Sequence, residues 1–400
     1  MVAETFMALQ ALVYTKKCIF PSRAANALQS INMVYAFAKQ GVLTSMWPGI
    51  AEKNHQLVLN TIEHDFHLVA SNKLQLKPLP GFHKGIYGLF FRLCLLRAWL
   101  LSPAHTVFYA RDITEVLLLT RFKRMLPVKH PVFFEIHEIL SEQHRLLHTG
   151  KTKYFAQLEK EIFHTIDGVI CISPILLEPL ENSYKYSGPA LVAPMGYNPE
   201  IFKVAPEIDF SGPITLAYVG SLYESKGVHN LVRALDYLPQ QFRLVVIGGN
   251  PNNELSNLQK LAQSVHNGAT RVHFYGYVPP RKIFSYLKSC SMMVIPQKSE
   301  VEFFSPIKLY EAIGMGLPLV VTPIPALTSV LEQDKDAVIA TGTDPQSLAA
   351  AILSMVSNEA RAKQIQYRLR QRSRELTWDA RAAKCLSFMT EISMNNKYST

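Results

Sequence analysis

Residues 214–227 have the sequence ITLAYVGSLYESKG, in which an apolar run ends at a glycine and a polar loop follows. The run Ile214–Val219 predicts a buried strand, and Gly220 permits a tight turn after it. The loop brings Lys226 to the start of a new helical segment. Ligands of open α/β sheets lie at the carboxyl ends of strands. Lys226 is therefore a candidate for neutralising a diphosphate, and a solvated surface lysine is the alternative.

The same alternation of strand and helix extends over the rest of the chain. After the strand at Ile214–Val219, further strands are predicted at Arg243–Ile247, Val272–Tyr275, Met292–Ile295 and Pro318–Val321. In the first half, strands are predicted at Leu9–Tyr14, His105–Tyr109, Val132–Ile136 and Gly168–Ile172, with a helix over residues 24–39. Continuous apolar strands that alternate with helices indicate parallel sheets covered on both faces, hence an α/β protein.

A polar, proline-containing stretch at residues 194–213 separates the two halves of this pattern. With 400 residues, the chain is long enough for two cores. We therefore predict Rossmann-like domains at residues 1–200 and 201–380, followed by a C-terminal helix and tail at 381–400.

Charge and cysteine content limit the class of protein. The net charge of +10 is spread over both halves, so it indicates an anionic partner without choosing among a nucleoside diphosphate, a nucleic acid and a lipid surface. The five cysteines form no C-x-x-C pair, which argues against a disulfide framework or a zinc site. The N-terminus carries Glu4 and no basic leader, so we expect a cytoplasmic protein.

One window lacks acidic residues altogether. No Asp or Glu occurs between Asp65 and Asp112, and residues 85–101 read GIYGLFFRLCLLRAWLL. Basic residues interleaved with aromatic ones suit anionic lipid headgroups, which makes residues 73–99 a candidate membrane contact. The alternative is a buried helix that connects strands of the N-terminal sheet.

A second motif occupies residues 305–318, with the sequence SPIKLYEAIGMGLP. Ser305 suits a helix cap and Pro306 the first helical turn. The N–H groups of such a helix start can bind an anion, and Lys308 adds a full charge. Glu311 lies far enough into the helix to meet a hydroxyl rather than a phosphate. A plain capped helix that packs on the sheet is the alternative.

Together the two motifs resemble the C-terminal domain of family-4 retaining glycosyltransferases of the GT-B fold. Five more segments match the family in order along most of the chain: residues 20–29 (FPSRAANALQ), 109–112 (YARD), 134–137 (FEIH), 167–173 (DGVICIS) and 194–202 (PMGYNPEIF). The resemblance implies two Rossmann-like domains with parallel sheets facing a central cleft. It also implies transfer of a sugar from a UDP- or GDP-sugar to a lipid-linked or cell-surface glycan, with the acceptor on the N-terminal domain.

The resemblance also assigns roles to residues. His137, Lys226 and Glu311 correspond to the catalytic positions, with Lys226 and Lys308 at the diphosphate and Glu311 at the ribose. The donor-binding set is Gly220, Ser221, Lys226, Tyr277, Val278, Ser305, Pro306, Ile307, Lys308 and Glu311. The acceptor-side set is Ser22, Arg23, Asn26 and Arg111.

Two departures from the family pattern keep other functions open. Ser221 stands where members often have Arg, and Phe303 rather than Glu lies eight positions before Glu311. A non-catalytic GT-B subunit that binds a glycan or partner, or a nucleotide-sugar 2-epimerase, is therefore an alternative.

No cofactor, metal or nucleic-acid partner is expected. We find no paired acids of the kind that Mg²⁺ requires, and His144 and His148 have no fitting acidic partner. The Gly314-x-Gly316 pair precedes a strand instead of following one, which argues against a nicotinamide enzyme.

Overall fold

The computed structural model describes residues 9–22, 24–50, 52–80, 84–104, 106–298 and 306–395, without the side chains of residues 84 and 85. These residues form two compact units. Residues 9–195 and 378–395 make up the N-terminal unit, and residues 196–377 make up the C-terminal unit.

The N-terminal unit is built around a parallel sheet with the strand order β10-β9-β8-β7-β1-β3-β5, beside a smaller sheet β2-β4-β6. Its strands are β1 (Ala11–Thr15), β2 (Ile19–Phe20), β3 (Leu43–Met46), β4 (Gly49–Ile50), β5 (Leu74–Leu76), β6 (Leu79–Pro80), β7 (Val107–Ala110), β8 (Val132–Ile136), β9 (Gly168–Cys171) and β10 (Ala190–Val192). Its helices are α1 (Ala25–Lys39), α2 (His55–Phe66), α3 (Lys84–Leu101), α4 (Ile113–Met125), α5 (Leu140–Leu146), α6 (Thr152–Phe163) and α7 (Leu177–Tyr184).

The C-terminal unit has a single parallel sheet among its described residues, with the order β13-β12-β11-β14-β15-β16. Its strands are β11 (Ile214–Val219), β12 (Phe242–Ile247), β13 (Val272–Gly276), β14 (Met292–Ile295), β15 (Leu319–Val321) and β16 (Val338–Ile339). Its helices are α8 (Val228–Ala234), α9 (Asn252–Ser264), α10 (Gly268–Arg271), α11 (Pro280–Leu287), α12 (Ile307–Met315), α13 (Pro325–Thr328), α14 (Pro345–Val356) and α15 (Glu359–Ser373).

The predicted α/β class with parallel sheets is confirmed. Strands β7, β8, β9 and β14 are buried along their whole length, as expected for continuous apolar runs in a sheet covered on both faces. The predicted strands all form, with ends that differ by at most two residues. The sequence pattern missed strands of two to four residues, namely β2, β3, β4, β5, β6, β10 and β16.

The larger sheet of each unit reverses its strand order at one point. In the N-terminal unit β1 lies between β3 and β7, and in the C-terminal unit β11 lies between β12 and β14. The loops that follow the two strands on either side of this point lead to opposite sides of the sheet. A crevice therefore opens between them at the carboxyl ends of the strands. The loops after β1 and β7, and those after β11 and β14, therefore border the two expected ligand positions.

The division of the chain differs from the prediction of domains at 1–200 and 201–380 with a separate tail. The C-terminal unit begins at residue 196, and the last helix, α16 (Trp378–Asn395), packs on α1 in the N-terminal unit. The burial of its side chains explains why α16 belongs to the N-terminal unit. Cys385 and Met389 on α16 are fully buried, and Arg381 is nearly so.

Helix α3 lies within the acid-free window and agrees in part with the connecting-helix alternative, whereas the membrane contact stays a prediction. Tyr87, Phe91 and Trp99 are buried, as the connecting-helix alternative expects, whereas Phe90 is exposed. Within the described residues, no helix is both long and apolar enough to cross a membrane. The five cysteines are free thiols, as expected, and Cys94 on α3 is the least buried of them.

Candidate functional site

The loop after β11 depends on a glycine at its end. Gly227 has a left-handed conformation (φ 71°), and a β-carbon there would lie 1.8 Å from the carbonyl oxygen of Pro296. Glycine therefore lets this loop pack against the segment after β14. The Lys298 amide donates to the Ser225 carbonyl at 2.9 Å and closes the same contact. Lys226 is thus fixed at the reversal point of the sheet.

Lys226 lies in a partly desolvated position. Its side chain is half-buried, and burial lowers the pKa of its ammonium group. A cation that has already lost water gains more from an anionic ligand than an exposed one does, because the local dielectric is lower. Gly220 and Ser221 open the loop, where the Tyr218 hydroxyl donates to the Ser221 carbonyl at 2.5 Å.

Helix α12 follows β14 and starts one residue later than the sequence predicted. Pro306 occupies the N-cap position with an extended ψ of 116°, so the first helical residue is Ile307. The prediction of Pro306 in the first turn is therefore wrong by one position. Ser305, its predicted cap, and Phe303 lie outside the described residues. The backbone N–H groups at the start of a helix can bind an anion.

Two predicted donor residues pair on the first turns of α12. Nζ of Lys308 lies 2.7 Å from Oε2 of Glu311, and it also lies 5.9 Å from the ring centroid of Phe202. Burial raises the pKa of the Glu311 carboxyl, and the charge of Lys308 opposes that rise. Gly314 allows helix α12 to approach the ring of Tyr197 closely, since a β-carbon at position 314 would lie 2.3 Å from that ring.

Tyr277 and Val278 follow β13, two strands away from the reversal point. Val278 is buried and Tyr277 is about half exposed. The Gly248 amide donates to the Gly276 carbonyl at 2.8 Å, which joins the loops after β12 and β13. Loops from β11, β12, β13 and β14 therefore border one edge of the C-terminal sheet.

In the N-terminal unit, several side chains at the carboxyl edge of the sheet bind one buried carboxylate, that of Glu135 on β8. Oε1 of Glu135 accepts from Nε2 of Gln29 at 2.6 Å, and Oε2 accepts from Nη2 of Arg381 at 2.8 Å and from the Tyr109 hydroxyl. Burial alone would raise the Glu135 pKa, but the charge of Arg381 and the bond with His137 hold it well below its ordinary value. Glu135 is therefore a buried anion with a full set of donors.

His137 lies between this carboxylate and a guanidinium. Its Nε2 is 2.6 Å from Oε1 of Glu135, and its Nδ1 is 3.3 Å from Nη2 of Arg111. Because a carboxylate only accepts, we assign the ring proton to Nε2, so that Nδ1 accepts from Nη2 of Arg111 and the approach of Arg111 Nε to Nε2 is a contact rather than a hydrogen bond. Burial and the Arg111 charge lower the His137 pKa to about 4, so the ring is neutral at pH 7.

The structure brings part of the predicted acceptor set together. Nη1 of Arg111 donates to the carbonyl of Asn26 at 2.6 Å, and its Nε lies 3.0 Å from Nε2 of His137. Ser22 instead accepts from the amide of Ala24 at 3.2 Å, before helix α1 begins. Arg23 lies outside the described residues.

Sequence reasoning missed the carboxylate and its partners. Glu135 was part of the matched FEIH segment but received no role, although a lone acid inside the apolar strand VFFEI was a usable signal. Arg381, Gln29 and Tyr109 gave no such signal. They come from other elements, and Arg381 lies 246 positions from Glu135.

His144, one of the two histidines weighed as metal ligands, has structural partners instead. Nδ1 of His144 lies 2.6 Å from Oγ1 of Thr149, and its ring stacks on Phe155 with centroids 4.4 Å apart. In the part of the chain that the structure describes, no group of three or more His, Cys, Asp or Glu side chains could hold a metal ion.

Stability should fall in acid because of His137. The ring pKa is about 4 in the folded chain and roughly 6.5 when unfolded, so the unfolded chain binds the proton more readily. The contribution is present above about pH 6.5 and is lost as the pH falls toward 4, by at most about 3 kcal/mol. Urea unfolding of the wild type and His137→Gln at pH 7, 5.5 and 4.5 measures it. The difference between the two proteins should shrink with falling pH, and a constant difference would contradict the assignment.

Comparison with known proteins gives matches in both halves of the chain. Residues 202–372 match the family model for glycosyl transferases group 1. The D-inositol 3-phosphate glycosyltransferase of Xylanimonas cellulosilytica is 27% identical over 173 residues, which are 43% of this chain and 40% of that protein. The amylovoran biosynthesis glycosyltransferase AmsK of Erwinia amylovora is 27% identical over 310 residues, 71% of each chain. The chain spans between 40% and 59% of the length of the first two curated relatives that it matches.

A solved structure extends the likeness to nearly the whole fold. Anabaena HepE, solved in complex with UDP and glucose, superposes with a TM-score of 0.67 at 15% identity, over 95% of this chain and 99% of HepE. The predicted GT-B fold class is confirmed by this likeness together with the two α/β units.

Proposed function

We propose that the chain is a retaining hexosyltransferase, on the premise that its residues 202–372 belong to the glycosyl transferases group 1 family. It transfers a sugar from a UDP- or GDP-sugar to a lipid-linked or cell-surface glycan. The observation that carries the proposal is the position of Lys226 and of helix α12. Both follow the two strands that flank the reversal point of the C-terminal sheet, where a ligand of this fold is expected.

In the proposed reaction, the bond between the anomeric carbon and the diphosphate breaks, and both electrons pass to the diphosphate. The acceptor hydroxyl oxygen bonds to the same carbon on the same face, and its proton passes to the departing diphosphate. Lys226, Lys308 and the N–H groups at the start of α12 stabilise the developing negative charge, which is where binding energy lowers the barrier.

Other residues position the donor. Glu311 binds the ribose hydroxyls, and donor binding exchanges its ion pair with Lys308 for contacts to ribose and diphosphate. Tyr277 and Val278 flank the base. His137 contacts the transferred sugar as a neutral imidazole, held by Glu135.

Two relatives support the substrate classes without defining them for this chain. HepE was solved with UDP and glucose, which favours a UDP-sugar as the first donor to test. AmsK is named for amylovoran biosynthesis, which favours a polysaccharide or its precursor as acceptor. A lipid-linked acceptor would be reached at a membrane, so contact of residues 73–99 with an anionic surface is part of the proposal. The cytoplasmic location stays a prediction.

The proposal is tested by release of UDP or GDP from a panel of nucleotide sugars, with and without oligosaccharide-lipid acceptors. Glu311→Gln should raise the Kd for the nucleotide at least tenfold, since the ribose loses a charged acceptor. Nucleotide binding without release from any donor would favour the non-catalytic subunit. Conversion of a UDP-sugar to its 2-epimer would favour the epimerase.

Activity is expected to be independent of divalent metal. The positive charge at the diphosphate comes from Lys226, Lys308 and the helix terminus, so no cation is required there. Turnover in excess EDTA should stay within about twofold of the untreated enzyme. Complete loss of turnover that Mg²⁺ or Mn²⁺ restores would contradict this expectation.

A further inference from the structure

Helix α3 has one face that is fully used by the N-terminal unit. Tyr87, Phe91, Leu95 and Trp99 recur every four residues and are buried. The Tyr87 hydroxyl donates to the carbonyl of Trp47 at 3.1 Å, and Nε1 of Trp99 donates to the carbonyl of Val128 at 2.9 Å. These contacts fix the orientation of the helix, so its opposite face is defined as well.

That opposite face is apolar too, although it faces solvent. Six large apolar side chains on it are between 43% and 70% exposed: Ile86, Leu89, Phe90, Leu93, Leu100 and Leu101. At 100° per residue, Ile86, Leu89, Leu93 and Leu100 fall within an arc of about 60°, opposite the buried side chains. We call these six residues the outer strip. A cluster of exposed apolar side chains of this kind marks an interaction surface.

Basic residues lie beside and within the outer strip, since at 100° per residue Arg92 falls about 60° outside its arc and Arg97 falls inside it. Arg92 and Arg97 are exposed on opposite sides of its centre, and Lys77 is exposed on the neighbouring segment. Burial raises the pKa of the Cys94 thiol, whereas the charges of Arg97 and Lys77 lower it, so both cations lie close to the middle of α3. No acidic residue occurs between Asp65 and Asp112 to neutralise them.

We propose that helix α3 lies in the surface of an anionic membrane, with the outer strip among the upper acyl chains and Arg92 and Arg97 at the phosphates. The helix has 18 residues and is therefore about 27 Å long, which suits a helix lying parallel to the bilayer. Anionic headgroups complement both Arg92 at the edge of the strip and Arg97 within it, whose long side chain can reach the headgroup level, which favours lipid over a second copy of this basic chain. This membrane contact rests on the proposed function, in which the acceptor is lipid-linked. It can nevertheless be tested without any transfer reaction.

The test is co-sedimentation of the full chain with vesicles of phosphatidylcholine alone or with about 30% phosphatidylglycerol. Leu89→Gln with Leu93→Gln removes the centre of the outer strip and should lower binding to anionic vesicles at least tenfold. Arg92→Gln with Arg97→Gln should lower it about 30-fold at low salt. The matched control is Val204→Gln with Tyr367→Gln, which removes two exposed apolar side chains of the C-terminal unit and should bind like the wild type.

The outcomes separate this surface from its alternatives. Weak binding to neutral vesicles, strong binding to anionic ones and loss in the leucine variant support the proposal, provided that all variants keep the wild-type Tm and UDP affinity. No binding at low salt, equal binding to both vesicles, or an unaffected leucine variant would overturn it. It would also be overturned by a wild-type dimer in analytical ultracentrifugation that the leucine variant dissociates, because a second copy would then cover the strip. Failure of the proposed function appears instead as absence of nucleotide release in solution.

Discussion

Replacing Arg381 with methionine is expected to lower the free energy of unfolding by about 3–5 kcal/mol, because it leaves a buried carboxylate without its cation. The guanidinium of Arg381 is almost fully buried, and its Nη2 lies 2.8 Å from Oε2 of Glu135. Its Nε also donates to the carbonyl of Pro194 at 2.8 Å. One side chain thus joins α16 to strand β8 and to Pro194, near the end of the first segment of the N-terminal unit. Methionine keeps most of the length and removes the charge.

Urea denaturation followed by circular dichroism measures this loss. Lys384→Met is the matched control, since Lys384 lies on the same helix, is exposed, and donates to the carbonyl of Val192 at 2.9 Å. It should cost less than about 1 kcal/mol. Adding Glu135→Gln to Arg381→Met should recover much of the loss by removing the orphaned charge. If Arg381→Met is as stable as the control, Glu135 does not depend on Arg381.

Lys226→Ala is expected to lower kcat by about 100-fold or more while leaving the Tm nearly unchanged. Lys226 is half-buried beside the reversal point of the C-terminal sheet, and it is one of the two lysines that the proposed reaction places at the diphosphate. Alanine leaves in place Gly227, on which the shape of the loop depends. The loss should therefore appear in turnover and not in folding.

Lys298→Ala is the control for this experiment. Lys298 is in the adjoining segment, about half exposed, and pairs with Glu224 at 3.1 Å. Removing it changes the net charge equally, so a general electrostatic effect would slow both variants to the same extent. Initial rates at saturating donor distinguish the cases. Wild-type turnover in folded Lys226→Ala would show that Lys226 is a surface residue with no part in the reaction.

Much of the fold follows from local pattern. The strands at 132–136, 214–219 and 292–295 have the predicted bounds, because each is a continuous apolar run between polar turns. The positions of Lys226 and Lys308 at the carboxyl edge follow from chain order, since each lies near the start of the helix that follows a strand of a parallel sheet. The one-residue error at Pro306 shows the limit, because proline is compatible with both the cap and the first turn.

The two faces of α3 could not be told apart from sequence. The helix is apolar nearly all round, so its periodicity does not say which side chains are buried. The aromatic residues that suggested a lipid contact proved to be largely the buried ones, and leucines make up most of the exposed strip. Packing against the sheet and the hydrogen bonds of Tyr87 and Trp99 decide the orientation.

By itself, the sequence determined the α/β class, the family resemblance and the segments that carry Lys226, Lys308 and Glu311, because these depend on residues that are neighbours along the chain. The tertiary structure alone decided that α16 returns to the N-terminal unit and that Arg381 neutralises Glu135 behind His137. The reason is physical. A buried carboxylate must find donors wherever the fold supplies them, and here the cation comes from 246 positions away, a distance at which no sequence spacing can signal the contact.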